Sequence, residues 1–209
     1  MLAIAFLGFS AGLPFLLVFS TLSAWLTEYG VSRSTIGFFS WIGITYSVKV
    51  FWAPVVDRMR LPGLTRLLGQ RRSWMLVAQI GIAAGLFAMA ATDPSADLVR
   101  LALLGLLVAF SSATQDITID AYRIEAVEEE RQAAMAAAYI FGYRLALLFA
   151  GAGALYIAEF ASWHAAYLGM ALAAGVGICT TLVIAEPERI IASATRELEA
   201  RVVEFSNRR

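Results

Sequence analysis

Long apolar runs, separated by short polar segments, make up most of the chain. Six of these runs contain few charged side chains and lie at 1–27, 35–56, 73–92, 98–121, 134–158 and 163–185. A helix needs about 20 apolar residues to cross the roughly 30 Å hydrocarbon core of a bilayer. Such runs are too long for barrel strands, and a helix satisfies its own backbone hydrogen bonds in lipid. The pattern predicts an all-α integral membrane protein with six transmembrane helices.

Composition supports this prediction and narrows the function. Of the 209 residues, 60% are hydrophobic and 15% are charged, and the mean hydropathy is +0.72. These values are more apolar than those of ordinary soluble domains. The sequence contains no metal-ligand spacing, nucleophile elbow or phosphate-binding loop. We therefore predict neither an enzyme, nor a cofactor or metal site, nor a nucleic-acid partner.

The arginines predict the orientation of the helices. They concentrate in the loop after the second run, the loop after the fourth run and the C-terminal tail, as Arg58, Arg60, Arg66, Arg71, Arg72, Arg123, Arg131, Arg189, Arg196, Arg201, Arg208 and Arg209. The opposite loops contain only Arg33 and Arg100. Because basic loops remain on the cytoplasmic side, both ends of this chain are predicted to be cytoplasmic.

The last residues follow a different pattern from the six runs. Apolar side chains recur at helical spacing between charged ones, at Ile191, Ala194, Leu198, Val202 and Phe205. This spacing is typical of an amphipathic helix at a membrane surface. The chain is therefore predicted to divide into a transmembrane bundle over 1–187 and a cytoplasmic amphipathic helix over 188–209.

Polar residues within membrane spans are functional candidates by default, and five of those within or at the ends of the predicted spans stand out. They are Lys49, Gln115, Asp116, Asp120 and Arg144. Asp116 and Asp120 are four residues apart, so both lie on one face of the fourth helix, where two carboxylates could pass a proton. Alternatively, Asp120 is a solvated or gating charge that pairs with Arg58 or Arg123.

Depth along the helices indicates which charges can meet. At 1.5 Å per residue, Lys49 lies about 12 Å, Asp116 about 10 Å and Arg144 about 20 Å from the nearest cytoplasmic loop. These depths predict a buried cluster of mixed charge. Asp116 could instead form a structural ion pair with Lys49 or Arg144, and Lys49 could extend its ammonium group to the surface. Arg144 suits a carboxylate in either the protein or a substrate.

Glycine and proline predict close packing and broken helices. The pairs Gly8–Gly12 and Gly81–Gly85 have the spacing that lets membrane helices approach closely. Pro14 is expected to break or kink the first helix, and Pro54 to end or bend the second. The likeness between GFSAGLP in the first helix and AFSSATQ in the fourth is the kind that a three-plus-three inverted repeat produces.

Several motifs together resemble one transporter family. The loop DRMRLPGLTRLLGQRRSW resembles the loop signature of the major facilitator superfamily, with an insertion. GFSAGLP, IGFFS, KVFWAPVVDR, SSATQDITIDAYR and GYRLALLFAGAGAL follow in an order that resembles the AmpG-type muropeptide permeases. The resemblance covers about residues 6–187. Acetyl-coenzyme A transporters of the same superfamily are more distantly similar.

The resemblance implies a permease in the bacterial inner membrane that imports anhydro-muropeptides, which are cell-wall recycling products, in symport with protons. In this family two six-helix halves form the substrate site between them. The chain corresponds to the N-terminal half, with 188–209 as the linker. The implied partners are the substrate, protons, the lipid bilayer, and the C-terminal half or a second copy of the chain.

The resemblance also implies roles for particular residues. Proton-driven uptake needs a membrane carboxylate that alternates between protonated and charged forms; the candidates are Asp116, which we prefer, and Asp120. The candidates for substrate binding, through charge, hydrogen bonds or an aromatic face, are Lys49, Gln115, Arg144 and Tyr46. For Tyr46, a packing or interface role is favoured over contact with a sugar. The candidates for a cytoplasmic gate are Asp57, Arg58 and Arg123.

Two other functions remain open. The first is a transporter of the same superfamily for another substrate, such as acetyl-coenzyme A or a peptide. The second is a membrane scaffold that transports nothing. A scaffold has no reason to maintain charges within the membrane, which favours a transporter.

Overall fold

A computed structural model describes residues 1–127 and 129–187, and this part of the chain is helical without strands. Its helices are α1 (Leu2–Val18), α2 (Ser20–Glu28), α3 (Arg33–Phe39), α4 (Ile44–Ser47), α5 (Ala53–Arg58), α6 (Leu64–Leu68), α7 (Gln70–Ala90), α8 (Leu98–Glu125), α9 (Gln132–Leu148), α10 (Ala154–Phe160) and α11 (Trp163–Val183). The predicted amphipathic helix at 188–209 lies outside the described residues.

Capping side chains begin several of these helices. Ser32, Asp97 and Ser162 each precede a helix and accept a hydrogen bond from the backbone N–H three residues later. A capping oxygen satisfies one of the N–H groups that have no partner within the helix. The loops between the long apolar runs therefore contain the signals that start α3, α8 and α11.

Five helical stretches are long and apolar enough to cross a membrane. They are Leu2–Glu28, Gln70–Ala90, Leu98–Glu125, Gln132–Phe160 and Trp163–Val183. The first contains α1 and α2, and the fourth contains α9, a π-helical segment at Phe149–Gly153 and α10. These stretches agree with five of the six predicted spans.

The remaining predicted span, 35–56, is a succession of short helices. Here α3, α4 and α5 alternate with 3₁₀ segments at Ser40–Gly43 and Val48–Phe51. Pro54 lies in the first turn of α5, where a proline is tolerated because the N–H that it lacks would be unpaired anyway. The predicted interruption at Pro54 is confirmed, and the count of six transmembrane helices stays a prediction.

The first span is also interrupted. Pro14 lies inside α1, but the break follows it, at Phe19, whose φ and ψ of −116° and −98° are not helical. The first span is therefore broken, but at Phe19, whereas α1 continues through Pro14, where the break or kink was predicted.

Glycines allow the closest helix contacts. A Cβ atom added at Gly8 or Gly12 would collide with backbone atoms of Tyr139 or Tyr143 in α9, and one added at Gly142 would collide with the backbone of Ala5. The backbones of α1 and α9 are therefore in direct contact. Gly81 and Gly85 of α7 face α8, where an added Cβ atom would meet the side chains of Ser111 and Val108. The predicted close approach of helices at both glycine pairs is thus confirmed.

A cluster of aromatic residues marks one end of the bundle. Trp25 stacks on Trp163 with 6.1 Å between ring centroids, and the Trp163 indole N–H donates a hydrogen bond of 2.7 Å to Glu28. The Tyr167 hydroxyl donates to the carbonyl oxygen of Leu17 at 2.7 Å. These contacts join the end of α1 and the helix α2 to the first turns of α11.

In contrast, α9 and α10 leave a broad face uncovered. Within α9 only Met135, Gly142 and Ala146 are buried. Large apolar side chains lie exposed along it, including Phe141 and Leu148. Such a surface requires lipid or another apolar partner.

Candidate functional site

The centre of the candidate site is an ion pair between Lys49 and Asp116. The Lys49 Nζ atom lies 3.6 Å from the Asp116 Oδ2 atom, and the two side chains are 35% and 20% exposed. Lys49 belongs to the 3₁₀ segment at Val48–Phe51, whereas Asp116 lies within the span formed by α8. The ion pair therefore joins the irregular segment 33–58 to a continuous membrane helix.

The second carboxylate oxygen of Asp116 has a different environment. The Oδ1 atom is buried and has no hydrogen-bond partner within the described residues. Burying a charged carboxylate is costly unless both of its oxygen atoms have partners. The Lys49 ammonium group, 3.6 Å from Oδ2, is a partner for only one of them. Asp116 therefore offers an acceptor position that a proton could occupy.

Tyrosines surround this ion pair. Tyr46 lies within electrostatic reach of both Asp116 and Tyr143 and packs on Phe15 and Phe19 with centroid distances of about 6 Å. Tyr143, from α9, also lies close to Asp116. The site thus combines groups from α4, α8 and α9, and two of these groups are tyrosine side chains.

Asp120, the other predicted proton carrier, lies in a more open position. Its side chain is 53% exposed, and Arg123 Nη1 lies 3.8 Å away on the next turn of α8. The Arg123 guanidinium also lies 4.8 Å above the ring of Tyr139, a cation–π contact with α9. Of the two pairings that the sequence left open for Asp120, the structure contains the one with Arg123.

Gln115 points away from the ion pair. Its side chain is fully buried, and its Oε1 atom accepts a hydrogen bond of 3.1 Å from the Ser10 hydroxyl on α1. Neighbouring residues on a helix differ by about 100° in direction, so Gln115 and Asp116 cannot face the same space. The predicted role of Gln115 in substrate binding would require α1 and α8 to separate, and it stays a prediction.

Arg144 lies on the uncovered face of α9. Its side chain is exposed and forms no ion pair within the described residues. The alternative pairing of Asp116 with Arg144 is therefore absent, and Lys49 holds that position. A guanidinium without a protein partner remains available for an external carboxylate.

A second charged cluster lies at the end of the bundle that carries the basic loops. Arg71 Nη1 lies 2.5 Å from Asp57 Oδ1, and the Nε and Nη2 atoms of Arg71 donate to the two carboxylate oxygens of Glu125 at 3.1 and 2.8 Å. This two-pronged contact suits the planar guanidinium group. Arg71 thus ties α5 to the end of α8.

The same end contains a reciprocal contact between α7 and the chain after α11. The Glu186 carboxylate accepts hydrogen bonds from the backbone N–H groups of Arg71 and Arg72 at 2.8 and 3.1 Å. The Arg72 side chain donates to the carbonyl oxygens of Thr181 and Leu182 at 2.9 and 2.8 Å. A negative charge at a helix start and a positive charge at a helix end both stabilise helices.

Gly69 makes the reciprocal contact possible. Its φ of +89° is in the region that favours glycine, and a Cβ atom there would collide with the Glu186 side chain. The GQRRSW motif therefore combines a turn with two arginines that face different partners.

The structure shows the surroundings of two residues predicted for the gate, Asp57 and Arg58, and their role in a gate stays a prediction. Asp57 pairs with Arg71, whereas Arg58 is exposed and forms no ion pair within the described residues. The residues predicted from the sequence for this end of the bundle do not include three members of the cluster, Arg71, Glu125 and Glu186. The basic pair in GQRRSW was the available signal for Arg71, but no local pattern identifies its carboxylate partners, which are distant in the sequence.

Comparison with known proteins identifies the family. Residues 4–208 match the family model of the Major Facilitator Superfamily. Putative transporter AmpG 4 of Rickettsia felis is 37% identical over 186 residues, which are 88% of this chain and 45% of that protein. The anhydromuropeptide permease of Escherichia coli K12 is 38% identical over 198 residues, which are 94% of this chain and 39% of that protein.

The chain spans less than half the length of these relatives. The predicted resemblance to AmpG-type permeases is confirmed by both similarities. The family model matches nearly the whole chain, and the chain has helices long enough to cross a membrane. Both findings agree with a transporter rather than an enzyme. The chain belongs to the Major Facilitator Superfamily of membrane transporters.

Proposed function

We propose that the chain is the N-terminal half of a proton-coupled permease that imports anhydro-muropeptides into the bacterial cytoplasm. The observation that carries the proposal is the ion pair between Lys49 and Asp116, in which one carboxylate oxygen is buried and has no hydrogen-bond partner among residues 1–127 and 129–187. An ion pair in this position can be broken and remade by one proton. Asp120 is the second candidate for this role.

The coupling step follows from the charges. A proton that binds the Asp116 carboxylate neutralises it and weakens its attraction for the Lys49 ammonium group. Lys49 is then available for a carboxylate of the substrate. Loss of the proton from Asp116 on the cytoplasmic side re-forms the internal pair and releases the substrate. Binding of a proton and binding of substrate are therefore linked through the same lysine.

The charges and rings of the site also support the substrate class. A muropeptide carries peptide carboxylates, sugar rings and hydroxyl groups. Lys49 and Arg144 supply positive charge for the carboxylates, Tyr46 supplies an aromatic face, and Gln115 supplies an amide once α1 and α8 separate. The relative from Escherichia coli is named an anhydromuropeptide permease, which is this substrate class for that protein.

The rest of the transporter belongs to this proposal as well. A C-terminal six-helix half of the same protein, or a second copy of the chain, would cover the open face of α9 and complete the substrate site. The segment 33–58 would act as the second transmembrane helix along the chain and would bring the total to six. Both ends of the chain would lie in the cytoplasm, at the inner membrane, with 188–209 as the linker.

The cluster at the basic end would act as the gate. Arg71 holds Asp57 and Glu125 together, while Glu186 and Arg72 tie α7 to the end of α11. These contacts stabilise one arrangement of the cytoplasmic ends of the helices. Arg58, which is exposed, and Arg123, which is partly buried beside Asp120, are candidates for pairing with the other half.

The experiment that tests this function measures uptake into vesicles that contain the complete native protein. Labelled anhydro-muropeptide is added, with and without an imposed proton gradient that is acidic outside. We expect accumulation only with the gradient, and its abolition by a protonophore. Uptake that ignores the gradient would contradict proton coupling. Uptake of acetyl-coenzyme A or a free peptide instead would indicate another substrate, and no uptake of any of them would favour a scaffold.

A second test concerns Arg144. Arg144→Lys retains the charge but loses the fork that binds a carboxylate through two hydrogen bonds. We expect it to weaken the uptake of the peptide-bearing substrate more than that of the bare anhydro-disaccharide. Equal loss for both substrates would indicate that Arg144 supports the structure and does not bind the peptide.

A further inference from the structure

The loop between α5 and α7 forms a pocket that the transport mechanism does not use. The pocket has a volume of about 740 Å³ and is open on one side. Arg60 and Arg66 line it, together with the chain around Pro62 and the side chains of Gln70 and Glu186. Its volume lies within the roughly 300–1,000 Å³ range that is typical of small-molecule sites.

The two arginines of the pocket have no partner in the part of the chain that the structure describes. Both side chains are exposed, and neither forms an ion pair or a side-chain hydrogen bond within the described residues. The one carboxylate in the pocket, that of Glu186, already accepts hydrogen bonds from the N–H groups of Arg71 and Arg72. Within the described residues, the pocket therefore presents two positive charges that no carboxylate compensates.

The loop is held in place by its own hydrogen bonds. The Leu61 N–H donates to the Thr65 hydroxyl at 2.8 Å, and the Gln70 amide donates to the carbonyl oxygen of Asp57 at 2.6 Å. The indole N–H of Trp74 donates to the carbonyl oxygen of Met59 at 2.9 Å. The pocket is thus preformed, which lowers the entropic cost of binding a ligand.

Apolar side chains next to the arginines indicate where the pocket lies. Met59 and Leu67, the sequence neighbours of Arg60 and Arg66, are 46% and 82% exposed. The loop joins the end of α5 to the start of the membrane-spanning helix α7. Positive charge beside exposed apolar side chains, at the end of a membrane span, matches the boundary between phospholipid headgroups and acyl chains.

We propose that this pocket binds the phosphate of an anionic phospholipid. Arg60 and Arg66 contact the headgroup phosphate, and Met59 and Leu67 contact the first carbons of the acyl chains. Arg71 and Arg72, whose guanidinium groups are occupied within the protein, take no part. The site is separate from the ion pair of Lys49 and Asp116, and it can exist whether or not the proposed transport function is correct.

The test is native mass spectrometry of the complete protein in detergent, titrated with phosphatidylglycerol, phosphatidylcholine or inorganic phosphate. We expect one phosphatidylglycerol to bind preferentially. Removal of both pocket charges in Arg60→Gln/Arg66→Gln should weaken this binding about tenfold or more, since each basic residue near the surface contributes about 1 kcal/mol. The matched control is Arg33→Gln/Arg100→Gln, which removes two arginines from the opposite loops and should leave the binding unchanged.

A further variant separates charge from fold. Arg60→Lys/Arg66→Lys should retain most of the binding. The melting temperatures of all three double variants should equal that of the original protein, because these side chains form no ion pair or hydrogen bond among the described residues. Equal binding of phosphatidylcholine would overturn the proposal, and so would an equal loss in the control. Displacement of phosphatidylglycerol by inorganic phosphate at the same concentration would assign the pocket to a free anion instead.

Discussion

At the scale of single residues, the ion pair of Lys49 and Asp116 holds opposite charges 3.6 Å apart in a position that is only partly exposed. Removing one partner leaves a charge that the surroundings do not compensate, whereas removing both partners leaves none. The energetic value of the pair is therefore visible only when single and double variants are compared.

We predict that Lys49→Met lowers the stability of the protein by about 1–2 kcal/mol, since the partial exposure of both groups reduces the cost below that of a fully buried pair. Adding Asp116→Asn should restore part of the loss. Thermal unfolding in detergent, followed by tryptophan fluorescence, measures both effects. If the loss of stability in the double variant equals the sum of the losses in the two single variants, the two side chains do not interact.

Arg71 is the residue on which the charged cluster at the basic end depends. We predict that Arg71→Lys lowers stability by about 1–3 kcal/mol, because a single ammonium group cannot donate to Asp57 and to both oxygens of Glu125. Arg58→Lys is the matched control, since Arg58 is adjacent to Asp57 but unpaired within the described residues. Unfolding midpoints that shift equally for the two variants would contradict the assignment.

The residue scale also shows how far the sequence could predict the site. The four-residue spacing of Asp116 and Asp120 correctly placed both on one side of α8, because helix periodicity is local. The partner of Asp57 could not be predicted, because several arginines follow it and the folding of the loop around Gly69 selects Arg71.

At the scale of helices, the contact between α1 and α9 is the closest one that the glycines create. We predict that Gly142→Ala lowers stability by about 1–3 kcal/mol, because the added methyl group would meet the backbone of Ala5, which cannot move aside as a side chain can. Gly175→Ala is the control: no atom lies near its Cβ position, so stability should stay the same or rise by up to about 1 kcal/mol. The opposite order of the two variants in thermal unfolding would contradict this packing.

The irregular span at 33–58 shows why the helices could be predicted only in part. Its composition is apolar enough to predict a membrane helix, and its path is helical almost throughout. Gly43 and Pro54 lie where the chain changes from one helical form to another. Hydrophobic runs give the extent of a segment, but the local hydrogen-bond pattern depends on packing against α8, including the bond of 3.2 Å from the Trp52 indole N–H to the Thr114 hydroxyl.

At the scale of the whole molecule, the two ends of the bundle differ in chemistry. One end holds the arginines of the loops, clustered with Asp57, Glu125 and Glu186, and the other holds the aromatic contacts of Trp25 and Trp163. The chain spans less than half of its relatives, and α9 leaves an apolar face uncovered. Both facts support a second half against that face.

Orientation can be tested on the same scale. After Cys179→Ser removes the single cysteine, Arg66→Cys and Arg100→Cys provide one thiol at each end of the bundle. We predict that a membrane-impermeant thiol reagent modifies the first variant only in inside-out vesicles and the second only in right-side-out vesicles. The reverse pattern would place the basic end outside the cell and would contradict the proposed topology.

The most direct test of proton coupling compares Asp116→Asn with Asp120→Asn in vesicles that contain the complete native protein. An asparagine cannot bind or release a proton but can still allow substrate to exchange across the membrane. We predict that Asp116→Asn abolishes accumulation driven by the proton gradient while exchange of labelled for unlabelled substrate continues, and that Asp120→Asn retains accumulation. Full accumulation by Asp116→Asn, at the level of the original protein, would show that this carboxylate does not couple the proton.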